Sequence, residues 1–124
     1  MRRLLVLVLV SFGLAACGGG GPQHHATCRP SGSSVSVSAE NSRFSTDCLA
    51  APANEPITIS FDNKDDGVPH NVDILSSSGQ SMFKGQIITG SHDVTYHVGA
   101  LKPGTYQFRC DVHPDSMHGT FIVK

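Results

Sequence analysis

Between Cys110 and Gly119 the chain reads CDVHPDSMHG, a stretch that gathers a thiol, two imidazoles and a thioether into a single turn. Side chains alternate along a strand, so TYQFRC places Tyr106, Phe108 and Cys110 on a common face with Cys110 pointing inward at the strand's end. The spacing Cys110-x2-His113-x3-Met117 then lets three soft donors converge, provided that the turn curls back toward the thiol. The run GTFIVK, starting at Gly119, holds the far end of that turn. A second imidazole is available upstream: His70 stands in GVPHNVDI, where a loop containing Gly and Pro enters a strand. A thiolate and two imidazoles in a plane, with a weak axial sulfur, select copper over harder cations. Zinc would accept the same Cys and two His, but the thioether gives no reason to choose it. The expected centre is one copper ion per chain on His70, Cys110, His113 and Met117. A binuclear centre would need a second cysteine in the turn. His118 follows Met117 directly and should face the other way. His92 and His97 read as surface or edge residues, and Met82 as packing.

These donors need a scaffold, and the chain beyond Cys28 supplies one with period two and no convincing helical stripe. SVSVSA (34–39) alternates strictly, and ITISFD (57–62) places Ile57, Ile59 and Phe61 on one face. HNVDIL (70–75), HDVTYHV (92–98), TYQFRC (105–110) and GTFIVK (119–124) follow, separated by the turn signals NKDDGVP, SSSGQ, ALKPGT and HPDS. Residues 77–84 are ambiguous, with a helical turn as one reading. Short strands at this spacing predict an all-β Greek-key β-sandwich of about 6–8 strands.

The two ligand-bearing segments together, GVPHNVDI and YQFRCDVHPDSMHGTFIV, resemble the cupredoxin family, which includes plastocyanin, azurin and amicyanin, from about Val35 to the end of the sequence. The resemblance implies His70, Cys110 and His113 as equatorial copper ligands and Met117 as the axial one. It implies that Asn71 ties the two ligand loops together by hydrogen bonds. It also implies that His113 is the ligand nearest the surface, ringed by Val68, Pro69 and Pro114, and is the electron's exit.

Upstream, MRRLLVLVLVSFGLAA (1–16) has two arginines, an apolar run and small residues, the order of a secretory signal too short to span a membrane stably. The sequence LAAC resembles the lipobox of bacterial lipoproteins, which makes Cys17 the lipid-bearing first residue of the mature chain. A plain secretory signal cut near Ala16 would leave Cys17 a free thiol. Residues 17–27 read as a flexible tether, with His24 and His25 solvated in it, and 28–124 as the folded domain. In an exported chain Cys28 and Cys48 are expected to form a disulfide, leaving Cys110 free. Pairing of Cys110 with either would remove the metal site.

Without Arg2 and Arg3, seven Lys and Arg face ten Asp and Glu, a net charge near −3. No basic cluster survives, which argues against a nucleic-acid partner. With no open coordination position and no adjacent acid/base pair, the chain is expected to be an electron carrier and not an enzyme. The expected partners are redox proteins such as membrane respiratory enzymes or cytochromes. The carrier is expected to be monomeric and lipid-anchored to the bacterial cell membrane, facing the periplasm or exterior. Asp65, Asp66, Asp111 and Asp115 would make its docking edge acidic. The alternative function is copper binding and delivery in the envelope.

Overall fold

The structure is a computed structural model that describes residues 28–124. The expected signal peptide (1–16), the expected lipid site at Cys17 and the expected tether (17–27) lie outside the described residues. Strands β1 (Ser34–Glu40), β2 (Arg43–Phe44), β3 (Cys48–Ala51), β4 (Ile57–Asn63), β5 (Pro69–His70) and β6 (Asp73–Leu75) form the first part of the domain. They are followed by β7 (Ser81–Lys84), β8 (Ile88–Thr89), β9 (His92–Val98), β10 (Gly104–Arg109) and β11 (His118–Val123). One sheet has the order β2-β1-β4-β9, the second β3-β11-β10-β6-β7, and β5 pairs with β8 in a small ribbon. The expected all-β sandwich is present. Eight strands have three residues or more, and the two-residue β2, β5 and β8 add to them. Among the described residues no helix is long and apolar enough to cross a membrane.

Alternation decides which face each strand buries. In β4, Ile57, Ile59 and Phe61 point inward while Ser60 and Asp62 face solvent. Tyr96 and Val98 of β9, and Val37 and Ala39 of β1, complete that sheet's inner face. They meet Leu49, Ile74, Phe108, Phe121 and Val123 from the opposite sheet in one core. Each fully buried Phe contributes roughly 1.5–3 kcal/mol by leaving water. Both β1–β4 and β3–β11 are parallel pairings, so distant segments close each sheet.

Three sequence expectations are corrected. Residues 77–84 do not form a helical turn: a tight turn at Ser76–Gly79 leads into β7, which pairs with β6 through Asp73↔Lys84 and Ile74↔Phe83. Met82 does not pack. It is 46% exposed, because the β7 register turns Phe83 toward the core and Met82 to solvent. HNVDIL is broken into β5 and β6 around Asn71 and Val72, which places Asn71 in a loop where its amide is free to bond across.

A disulfide joins Cys28 to Cys48 with Cα atoms 5.9 Å apart, and Cys110 is free and buried. The bond closes a sequence separation of 20, which predicts that the double replacement Cys28→Ala, Cys48→Ala costs about 3 kcal/mol, measured by urea unfolding of the metal-free domain.

Candidate metal centre

The site lies at the end of the sandwich where β5 and β10 finish. Cys110 follows β10 directly and is fully buried, continuing the inward face of Tyr106 and Phe108. The chain then turns from Cys110 to Met117 and closes on itself. The Cys110 N–H donates to the Met117 carbonyl at 2.9 Å, and the Met117 N–H donates to the His113 carbonyl at 2.9 Å. Beyond it Gly119 pairs with Phe108 across β10 and β11. This pairing requires glycine: a Cβ there would stand 2.5 Å from both the Phe108 ring and the Asp47 carbonyl oxygen. The turn is therefore held at both ends.

His70, at the end of β5, is fully buried and sends Nδ1 toward this turn. Its Nδ1 lies 3.7 Å from Cys110 Sγ and 3.2 Å from His113 Nδ1, which is 4.0 Å from the same sulfur. A triangle with sides of 3.7, 4.0 and 3.2 Å has its centre about 2.1 Å from each corner. Bonds from a first-row metal to imidazole nitrogen and thiolate sulfur are about 2.0–2.3 Å, so the three atoms fit one ion. Met117 is fully buried in the same core as Cys110, at the end of the turn. His113 is partly exposed. His70, Cys110 and His113 thus come together as read from the sequence, and form a group able to hold a metal among the described residues. His92, His97 and His118 are exposed, as expected.

Asn71 is buried and joins the two ligand loops. Its side-chain oxygen accepts from the Asp111 N–H at 2.8 Å, and its amide donates to the Asp111 carboxylate at 2.9 Å and to the Gly85 carbonyl at 3.0 Å. Asp111 also meets Lys84 at 3.4 Å and Arg109 at 3.4 Å. Tyr96 packs nearby with its hydroxyl donating to the Gln86 carbonyl at 2.7 Å. Burial, with the Cys110 charge adding to it, pushes that hydroxyl up to about 12, so Tyr96 stays a donor.

One residue of the site was missed as such. Asp65 Oδ2 accepts from His70 Nε2 at 2.8 Å, on the side of the ring away from Cys110. The backbone N–H of Ser42, together with His70 and the Asn41 N–H, holds the Asp65 carboxyl below the usual carboxylate range, against the opposing push of burial. The sequence carried only the weak signal of an acid five residues before His70. The acidic edge read from the sequence is thereby halved: Asp65 and Asp111 are engaged internally, and Asp66 and Asp115 remain exposed. Val68 and Pro69 are half-buried beside the site, Pro114 is exposed, and Val112 is an exposed apolar residue next to His113.

The family model of the cupredoxin-like domain matches residues 4–123. No curated protein matches the sequence. Among solved structures, reduced auracyanin from the photosynthetic bacterium Roseiflexus castenholzii is 18% identical with a TM-score of 0.66, covering 74% of this chain and 97% of its own. Auracyanin A, a "blue" copper protein from Chloroflexus aurantiacus, is 17% identical with a TM-score of 0.66, covering 75% and 99%. Amicyanin from Paracoccus versutus is 25% identical with a TM-score of 0.55, covering 73% and 81%.

Proposed function

The chain belongs to the cupredoxin-like domain family, and we propose that it is a mononuclear copper protein carrying single electrons between redox partners of the cell envelope. The observation that supports this best is the triangle of His70 Nδ1, Cys110 Sγ and His113 Nδ1, sized for one ion and backed by the buried Met117. A thiolate and two imidazoles with a thioether suit copper, and zinc would leave the thioether unused. The cofactor is one copper ion, which when bound supplies the Cu(II)/Cu(I) couple.

The residues present do the rest. The closed turn and the β5 corner hold the donors in one arrangement, so little has to move between oxidation states. Asn71 fixes the spacing of the two loops. His70 is sealed inside while His113 reaches the surface, which makes His113 the contact point for a partner. Val112 and Pro114 flank it in sequence as exposed apolar residues, and Asp115 is an exposed charge two positions on. A small, transient interface with a respiratory enzyme or cytochrome suits this edge. Lipidation at Cys17 and the tether of residues 17–27 would hold the carrier at the membrane, facing the periplasm or exterior, and raise its effective concentration there. The buried thiol argues against copper delivery, which needs a ligand set that a recipient can reach.

The test is addition of Cu(II) to the purified domain from Thr27 onward, followed by visible spectroscopy and redox cycling. An intense thiolate-to-copper band that bleaches reversibly supports the carrier. Binding without that band favours delivery, and no binding sinks both. Met117→Gln is expected to keep the band and lower the potential. The harder amide oxygen favours Cu(II), by about 59 mV for each tenfold change in relative affinity. Cyclic voltammetry reads that shift.

A further inference from the structure

The β1–β2 connection is a two-residue hairpin turn, Asn41–Ser42, between the paired residues Glu40 and Arg43. Both turn residues have φ of 53°. That left-handed backbone is required by the favoured hairpin turn and is costly for serine. The turn aims two adjacent N–H groups outward, and both are taken by Asp65: Asn41 donates to Oδ1, and Ser42 donates to Oδ2 at 2.8 Å. The same Oδ2 accepts from His70 Nε2 at 2.8 Å. The Asp65 N–H is fixed in turn by the Asn63 side-chain oxygen at 3.0 Å. The hydroxyl of Ser116, beside Met117, donates to the Ser42 carbonyl at 3.3 Å, so the turn also touches the second ligand loop.

We propose that Asp65 is the positioning residue of the metal site: docked on the Asn41–Ser42 turn, it keeps the His70 proton on Nε2 and presents Nδ1 to copper. An ionised carboxylate can only accept, so the ring nitrogen facing it must carry the proton. The other nitrogen, 3.7 Å from Cys110 Sγ and 3.2 Å from His113 Nδ1, then carries the lone pair and faces the other donors. The carboxylate also makes the imidazole a stronger donor, which favours Cu(II) over Cu(I). The inference rests on the copper reading above for its second half, and on the metal-free protein for its first.

Nitrogen-15 NMR of the copper-free domain at alkaline pH should show His70 as the Nε2–H tautomer. In Asp65→Asn the amide can donate to Nε2, so the tautomer preference should be lost. In the copper form the preference for Cu(II) over Cu(I) should fall about tenfold, raising the potential by about 59 mV. Ser42→Gly keeps both N–H donors and relieves the left-handed serine, so tautomer and potential should match the parent protein. A parent protein with the proton on Nδ1 overturns the proposal, as does a folded Asp65→Asn with unchanged potential. Should Asp65→Asn fail to fold, the parent tautomer decides alone. Failure of the copper reading shows separately, as a parent protein without the thiolate band.

Discussion

Cys110→Ser is expected to eliminate the intense visible absorption of the copper-loaded protein altogether. That band requires electron density from a sulfur bonded to Cu(II), and Cys110 is the free cysteine among the described residues. A hydroxyl in its place stays protonated at neutral pH and is a hard, weak donor. Copper should still associate through His70 and His113, whose Nδ1 atoms lie 3.2 Å apart, but weakly and without strong colour. The fold should tolerate the change. The Cys110 backbone bond to Met117 does not involve the side chain, and a small buried thiol contributes little beyond its packing. Visible titration with Cu(II), alongside thermal unfolding of the copper-free protein, separates loss of the site from loss of the fold. A serine variant that stayed blue would overturn the assignment of the thiolate.

Phe108→Ala should act the opposite way, striking the fold first. Phe108 is fully buried, its ring 5.2 Å from that of Phe44, and it stands two residues before Cys110 on the same face. Its ring also covers Gly119, which a larger residue could not replace. Removing the ring leaves a cavity between strand and ligand turn, and a buried Phe→Ala change costs about 3–5 kcal/mol. A domain of this size has about 5–15 kcal/mol in total, so the midpoint of thermal unfolding should drop by roughly 15–30 °C. In parent and variant alike the copper form should unfold at a higher temperature than the copper-free form, because a metal that binds only the folded state adds to its stability. Calorimetry of both forms reads the difference.

What was legible in the sequence follows from where alternation survives. HDVTYHV gave the bounds of β9 without error, and ITISFD fell one residue short of β4, because each strand buries one face only. CLAA of β3 is buried at every position, so it has no period to read. The β7 segment SMFK mixes polar and apolar residues at a sheet edge, where neither period stands out, and the phase that exposes Met82 depends on pairing with β6. The donors His70, Cys110 and His113 were readable because each belongs to a compact local pattern. Asp65 was not. Its importance comes from bonds to Asn41 and Ser42, more than twenty residues earlier, and spacing says nothing of such contacts. The same holds for Asp111, counted among surface charges from its position and found bonded to Asn71, Lys84 and Arg109.

The place of β11 has a consequence for the order of events during synthesis. This strand is the last in chain order, yet it lies inside the five-stranded sheet, between β3 and β10. Until residues 118–123 are available, β3 has no neighbour in its sheet and the ligand turn has no second anchor. The nascent chain therefore cannot complete its sandwich early. It has to stay open through most of its elongation, with slow, long-range pairing left to the end.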